Sequence, residues 1–132
     1  MNQVLPTRDT PRGLVAEIGG VLFATGKALL GIEARESLAR LSGVLSAYPG
    51  LKLRIEGHTD DTGSEATNLS LSNDRAGSVR DYLTAQGVPT QSIEVEGLGP
   101  ASPVAENTTA EGRARNRRVE VIVSGEGITP QR

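Results

Sequence analysis

The chain has 132 residues, a formal net charge of −2, and 36% hydrophobic and 23% charged residues, a length and balance that suit one globular domain and not two. It contains no cysteine, which excludes disulfides, thiolate catalysis, cysteine zinc sites and a lipid-accepting cysteine within it. The mild acidity argues against a general polyanion partner, and Phe23, Tyr48 and Tyr82 are too few aromatics for a single-strand stacking platform, so no nucleic-acid partner is expected.

Residues 1–12 are polar, carry Pro6 and Pro11, lack the apolar core of a secretion signal, and read as a flexible leader. GLVAEIGGVLF, Gly13 to Phe23, is rich in β-formers and broken by Gly19-Gly20, which predicts a bulge or two short strands. ATGKALLG follows as a loop. From Ile32 to Tyr48, apolar Ala34, Leu38, Leu41, Val44 (or Leu45) and Tyr48 recur at three and four, which predicts an amphipathic helix stopped by Pro49-Gly50. LKLRIEG, Leu51 to Gly57, alternates as a strand with one wet face, and the turn-rich EGHTDDTG opens a loop that runs to Asn68.

A second helix is predicted from Ser72 to Gln86, with Ala76, Val79 and Leu83 inward and Gly87 as its stop. Ser92 to Gly99 alternates as a strand. A loop with Pro100 and Pro103 leads to a short helical turn near Thr109 to Ala114. Arg117 to Gly125 reads as the last strand, and residues 125–132 as a flexible tail. The order β-α-β-α-β-(short α)-β predicts an α+β fold, a two-layer α/β sandwich with a mixed sheet of about four strands. No run reaches transmembrane length, so no direct membrane insertion by this chain is expected.

Polar chemistry concentrates in two places. The first is EGHTDDTG with the following LSNDRAGSV. His58 is the only histidine, DDTGSE lacks the ligand spacing of a calcium loop, and a hydrolytic zinc site needs several ligands, so no metal is expected. No G-x-S-x-G elbow accompanies Ser70 or Ser72, and the carboxylates Glu56, Asp60, Asp61 and Glu65 are no more than any acidic loop offers. His58 is expected to pack at the strand end and cap backbone groups. With Ser72 as N-cap, Arg75 falls in the first helical turn, where the dipole disfavours a cation. Asp60 or Asp61 is the economical compensator. Either the pair is a structural salt bridge, or carboxylate and guanidinium stand side by side and grip a zwitterion, helped by helix-start N–H groups.

The second cluster is EGRARNRRVE, with Arg113, Arg115, Arg117 and Arg118. Alternation sends Arg117 and Arg118 to opposite faces, so they form no flat basic patch, and pairing with Glu106, Glu111 and Glu120 is expected. The sequons at Asn68 and Asn107 are short enough to arise by chance.

With both clusters in view, the chain resembles the OmpA-like peptidoglycan-binding domain of OmpA-type porins, peptidoglycan-associated lipoproteins and flagellar stator B subunits. The matching residues are GHTD at Gly57 to Asp60, Gly63, Asn68, Leu71-Ser72, Arg75-Ala76, Val79, Tyr82-Leu83 and Gly87-Val88. They continue through Gly97 and Gly99, Pro103, Asn107, and GRARNRRVE from Gly112 to Glu120. The resemblance spans residues 13–124. It implies a non-enzymatic, cofactor-free module that binds the peptide stem of peptidoglycan at diaminopimelate, on the periplasmic face of the envelope. By position, Asp60 takes the ammonium and Arg75 the carboxylate, while Asn68 and the backbone near Thr59 add hydrogen bonds and Arg118 contributes. The alternatives are a peptidoglycan hydrolase and a protein-interaction module of the envelope.

Two positions depart from the family pattern: Leu98 stands where an aromatic is common, and Gly77 interrupts the second helix at about 1 kcal/mol relative to alanine. With neither barrel, membrane helix nor lipid-accepting cysteine in the sequence, the chain is expected to be the C-terminal domain of a larger, outer-membrane-associated protein.

Overall fold

The computed structural model describes residues 7–10, 13–19, 31–45, 47 and 50–125. Strands β1 (Thr7–Thr10) and β2 (Gly13–Gly19) precede helix α1 (Ile32–Leu45), strand β3 (Leu51–His58) and helix α2 (Glu65–Ala85). Strand β4 (Ile93–Gly99), short helix α3 (Ala110–Asn116) and strand β5 (Arg118–Gly125) complete the order. The described strands form one mixed sheet in the order β1-β2-β5-β3-β4. Pairing is antiparallel except for β3 with β4, which α2 connects as a crossover. This is the expected α+β arrangement with one strand added at the edge.

That extra strand, Thr7–Thr10, lies within the stretch expected to be a leader. It pairs with β2 from Thr7 opposite Ala16 to Thr10 opposite Gly13. Main-chain ladder bonds ask little of side chains at an edge, so TRDT forms a strand without the alternation that marks a half-buried one. The segment around Gly20 to Phe23, Tyr48 with Pro49, and the tail beyond Gly125 lie outside the described residues.

One face of the sheet packs under the helices. Leu38, Leu41 and Leu45 of α1 and Ala76, Val79 and Leu83 of α2 meet Leu53 and Ile55 of β3 and Val119, Val121 and Val123 of β5. All are buried, and branched aliphatics fill the space that aromatics would otherwise take. The opposite face carries Lys52, Arg54, Glu56 and His58 from β3 and Arg118, Glu120 and Ile122 from β5, as period two requires.

Helix α2 starts earlier than expected. Ser64, not Ser72, is its N-cap, and the Ser64 Oγ accepts the Thr67 N–H at 3.1 Å. Thr67, Asn68 and Ser70 are weak helix formers, which disguised the first two turns as loop. Ser72 instead sits mid-helix, fully buried, where its Oγ donates to Leu69 O at 2.9 Å and accepts the Gly99 N–H at 3.0 Å. This seam between α2 and the strands is made by glycine. A Cβ at Gly57 would lie 2.0 Å from Ser72 O, and one at Gly97 would lie 2.4 Å from Asn73 N. Both obstacles are backbone, so neither can swing aside.

Gly57→Ala is therefore expected to destabilise the fold by about 2–3 kcal/mol, as overpacking against an immovable neighbour does. Gly77→Ala, whose Cβ would meet only the Arg80 side chain at 3.7 Å, is expected to be neutral or to stabilise by up to about 1 kcal/mol. Urea unfolding of the two variants checks this contrast.

Candidate functional site

The ends of β3 and β4, the first turns of α2 and the start of β5 converge on the stretch from Thr59 to Thr62. Thr59 leaves β3 by donating its N–H to Gly99 O at 2.9 Å, and its Oγ1 donates to Asp60 O at 2.8 Å. The Asn68 Nδ2 donates to Thr62 O at 2.9 Å and reaches Asp60 O at 3.4 Å. Thr59 and Asn68, both buried, thus shape the loop that presents Asp60. Asp61 is exposed.

Asp60 itself is 5% exposed. One carboxylate oxygen accepts the Thr62 N–H at 2.9 Å, and the other meets the Arg117 guanidinium at 2.6 Å. Burial pushes its carboxyl upward, but the Thr62 N–H, Arg117 and the Thr62 hydroxyl outweigh that and hold it below the usual carboxylate range. Asp60 is therefore an anion at neutral pH. The Arg117 side chain remains 42% exposed, so the pair borders solvent on the arginine side.

Arg75 lies in the third turn of α2, on the face shared with Asn68 and Ser72, and is buried. With Ser64 as the cap, Arg75 sits ten residues, about 15 Å, into the helix. The conflict between Arg75 and the helix dipole disappears, and so do helix-start N–H groups as its partners in holding an anion. Burial first, and then the nearby charge of Arg117, lower its pKa from the ordinary value. Arg117 thus links the other two, paired with Asp60 and close enough to Arg75 for its charge to be felt there. The pair drawn between Asp60 and a cation exists, but its cation is Arg117.

Arg118 is turned to the other side of the sheet. Its Nε donates to Glu120 at 2.8 Å, and its two terminal nitrogens donate to Asn116 O at 3.2 Å and Ser102 O at 3.1 Å. All three guanidinium nitrogens are used inside the fold. The alternation of β5 was the available signal that Arg117 and Arg118 cannot serve the same site. Sequence reasoning missed Arg117, and it missed Asn116 as well. The Asn116 amide accepts the Val104 and Ala105 N–H groups at 2.7 and 3.0 Å and donates to Ala105 O and Asn107 Oδ1. It thereby fastens the loop before α3.

His58 corrects another expectation. It is 3% exposed, but it caps no backbone group: neither ring nitrogen has a hydrogen-bond partner. Burial and the charge of Arg118 lower its pKa, against the opposing pull of Glu120 and Glu56.

The depressed pKa of Asp60 carries a sign for stability. A carboxyl whose folded value lies below its unfolded value of about 3.9 contributes stability above that pH and loses it as pH falls through the folded value. Asp60→Asn is expected to be less stable than the wild type at neutral pH, with the gap closing below about pH 4. Urea midpoints measured down that range test it, and a gap that does not change with pH would refute the pairing.

The OmpA family is matched over residues 22–117. The chain is 43% identical over 120 residues to the peptidoglycan-binding protein ArfA of Mycobacterium tuberculosis, covering 90% of this chain and 37% of that protein. It is also 43% identical over 106 residues to the outer-membrane lipoprotein YfiB of Pseudomonas aeruginosa, covering 80% and 63% of the two chains. It therefore spans less than two thirds of these curated relatives. Among solved structures, a putative MotB-like protein of Desulfovibrio vulgaris superposes with a TM-score of 0.83 at 31% identity, over 94% of this chain and 80% of that one. The cell wall anchor of the T6SS from Pseudomonas aeruginosa superposes at 0.79 with 33% identity, over 93% and 88%. On the family match and these relatives, the chain belongs to the OmpA family.

Proposed function

We propose that this domain is a non-catalytic peptidoglycan-binding module that anchors a larger envelope protein to the cell wall from its periplasmic side. The observation that carries the reading is the charge arrangement at the strand ends: an ionised, buried Asp60 bonded to Arg117, with Arg75 near enough to feel the charge of that same Arg117. A zwitterionic amino-acid centre is the complement of that arrangement. Its ammonium takes the place of the Arg117 guanidinium on Asp60, and its carboxylate takes the guanidinium charge of Arg75. Diaminopimelate in the wall peptide stem offers such a centre on a side chain, away from the stem backbone.

Asn68 and Thr59 act by holding the Asp60 loop, and Arg118 acts by holding the loop through Ser102 rather than by touching ligand. Support from kinship lies in ArfA, a peptidoglycan-binding protein by name, and in the T6SS cell wall anchor. No described helix is long and apolar enough to cross a membrane. A single partly exposed charge grip is weak. Many stems along one polymer supply avidity.

Sedimentation with purified peptidoglycan tests the reading. The wild type is expected to co-sediment, and Asp60→Ala and Arg75→Ala to lose at least about tenfold in affinity, equivalent to ~1.4 kcal/mol. Free diaminopimelate should release the bound domain, while lysine, which lacks the second carboxylate, should release it far less well. Equal retention of both variants, or release of soluble wall fragments by the domain, overturns the proposal.

A further inference from the structure

The sheet face turned away from the helices holds an arrangement that wall recognition leaves unused. Register places Glu17 of β2 beside Glu120 of β5, Glu120 beside Glu56 of β3, and Glu56 beside Glu96 of β4. Four glutamates on four adjacent strands thus stand in one row, where like charges directly opposite one another are unfavourable. The neighbouring rows supply Arg54 on one side and Arg118 with His58 on the other. The Arg54 Nε bonds Glu56 Oε2 at 2.7 Å, and the Arg118 Nε bonds Glu120 Oε2 at 2.8 Å. Arg54 reaches Glu96 as well. Each arginine thereby orients one carboxylate.

His58 stands in this cluster with neither ring nitrogen in a hydrogen bond of ordinary length. Its Nε2 is 3.6 Å from Glu56 Oε1, beyond hydrogen-bond length, and both ring nitrogens lack a partner although the residue is 3% exposed. A buried imidazole left so costs stability that an apolar side chain of the same size would not. One ligand atom from each of Glu56, His58 and Glu120 lies within 4.8 Å of the other two. Ligands of one tetrahedral zinc ion stand about 3.3 Å apart, so the three ligand atoms would close by at most about 1.5 Å to complete the set.

We propose that Glu56, His58 and Glu120 form a binding site for a divalent transition-metal ion, with one imidazole and two carboxylates as ligands. The mixed nitrogen and oxygen set suits zinc, cobalt or manganese better than calcium, which takes oxygen alone. Arg54 and Arg118 hold the ligating carboxylates from behind, as outer hydrogen bonds do around protein metals. The ion lies two residues before Asp60 and would pin the end of β3. A sequence search for metal spacing passes over this site, because Glu120 joins the other two only through β-pairing 62 residues away.

The test uses untagged protein stripped with a chelator and desalted. His58 is the only histidine, so its imidazole resonances report coordination directly when zinc is titrated into the wild type. They are expected to shift with a stoichiometry of one, and cobalt to produce a visible absorption spectrum that zinc abolishes. Thermal unfolding should rise on the order of 10 °C at a hundredfold excess over the dissociation constant. His58→Asn and Glu120→Gln should lose the cobalt spectrum and the thermal shift. Unmoved His58 resonances in the wild type, or zinc binding that survives both substitutions, overturns the site. None of these readouts involves wall material, so the result stands apart from the fate of the wall-binding proposal.

Discussion

The backbone of α2 lies directly against the backbones of β3 and β4, and the rest of the site depends on that contact. At Gly57 and Gly97 a side chain would run into the α2 backbone, and glycine removes it. Ser72 then joins the layers chemically by accepting the Gly99 N–H inside the seam. At this separation the polar face of α2 reaches the strand ends. A helix held a side-chain width farther away would leave Asn68 unable to close the loop and Arg75 remote from Arg117. Packing density and ligand geometry are one constraint here.

Within that frame, electrostatics decides what the loop offers. Burial alone would drive Asp60 toward its neutral form, whereas the Thr62 N–H and Arg117 keep it charged. Arg75 is buried near a second guanidinium, and burial first and then that charge lower its pKa. These perturbed charged groups sit at the strand ends and not in the aliphatic core. Functional sites commonly hold such local conflicts while the surrounding fold is self-consistent.

The two faces of the sheet solve different problems. Under the helices, Val, Leu and Ile residues interdigitate around a dry centre. On the other face, rows of glutamate and arginine compensate one another across strands, with the loop before α3 tied in through Arg118 and Asn116. His58 belongs to this second face although its neighbours in the chain, Thr59 and Asp60, serve the loop.

The strands and helices were largely legible from period two and period three-to-four patterns, and the turn after β3 from the turn-rich GHTDDTG stretch. The start of α2 was not, because Thr67, Asn68 and Ser70 speak locally for a loop, while the Ser64 cap and the contacts of Asn68 and Ser72 hold them in a helix. By itself the sequence determined which residues face inward along each element, since that periodicity is local. It also contained the glycines that let α2 approach. Only the tertiary structure decided that Arg117 rather than Arg118 meets Asp60, and that Glu120 stands beside Glu56 and His58. Those outcomes follow from the register of β5 against β3, a choice made between segments some sixty residues apart, and no local pattern encodes it.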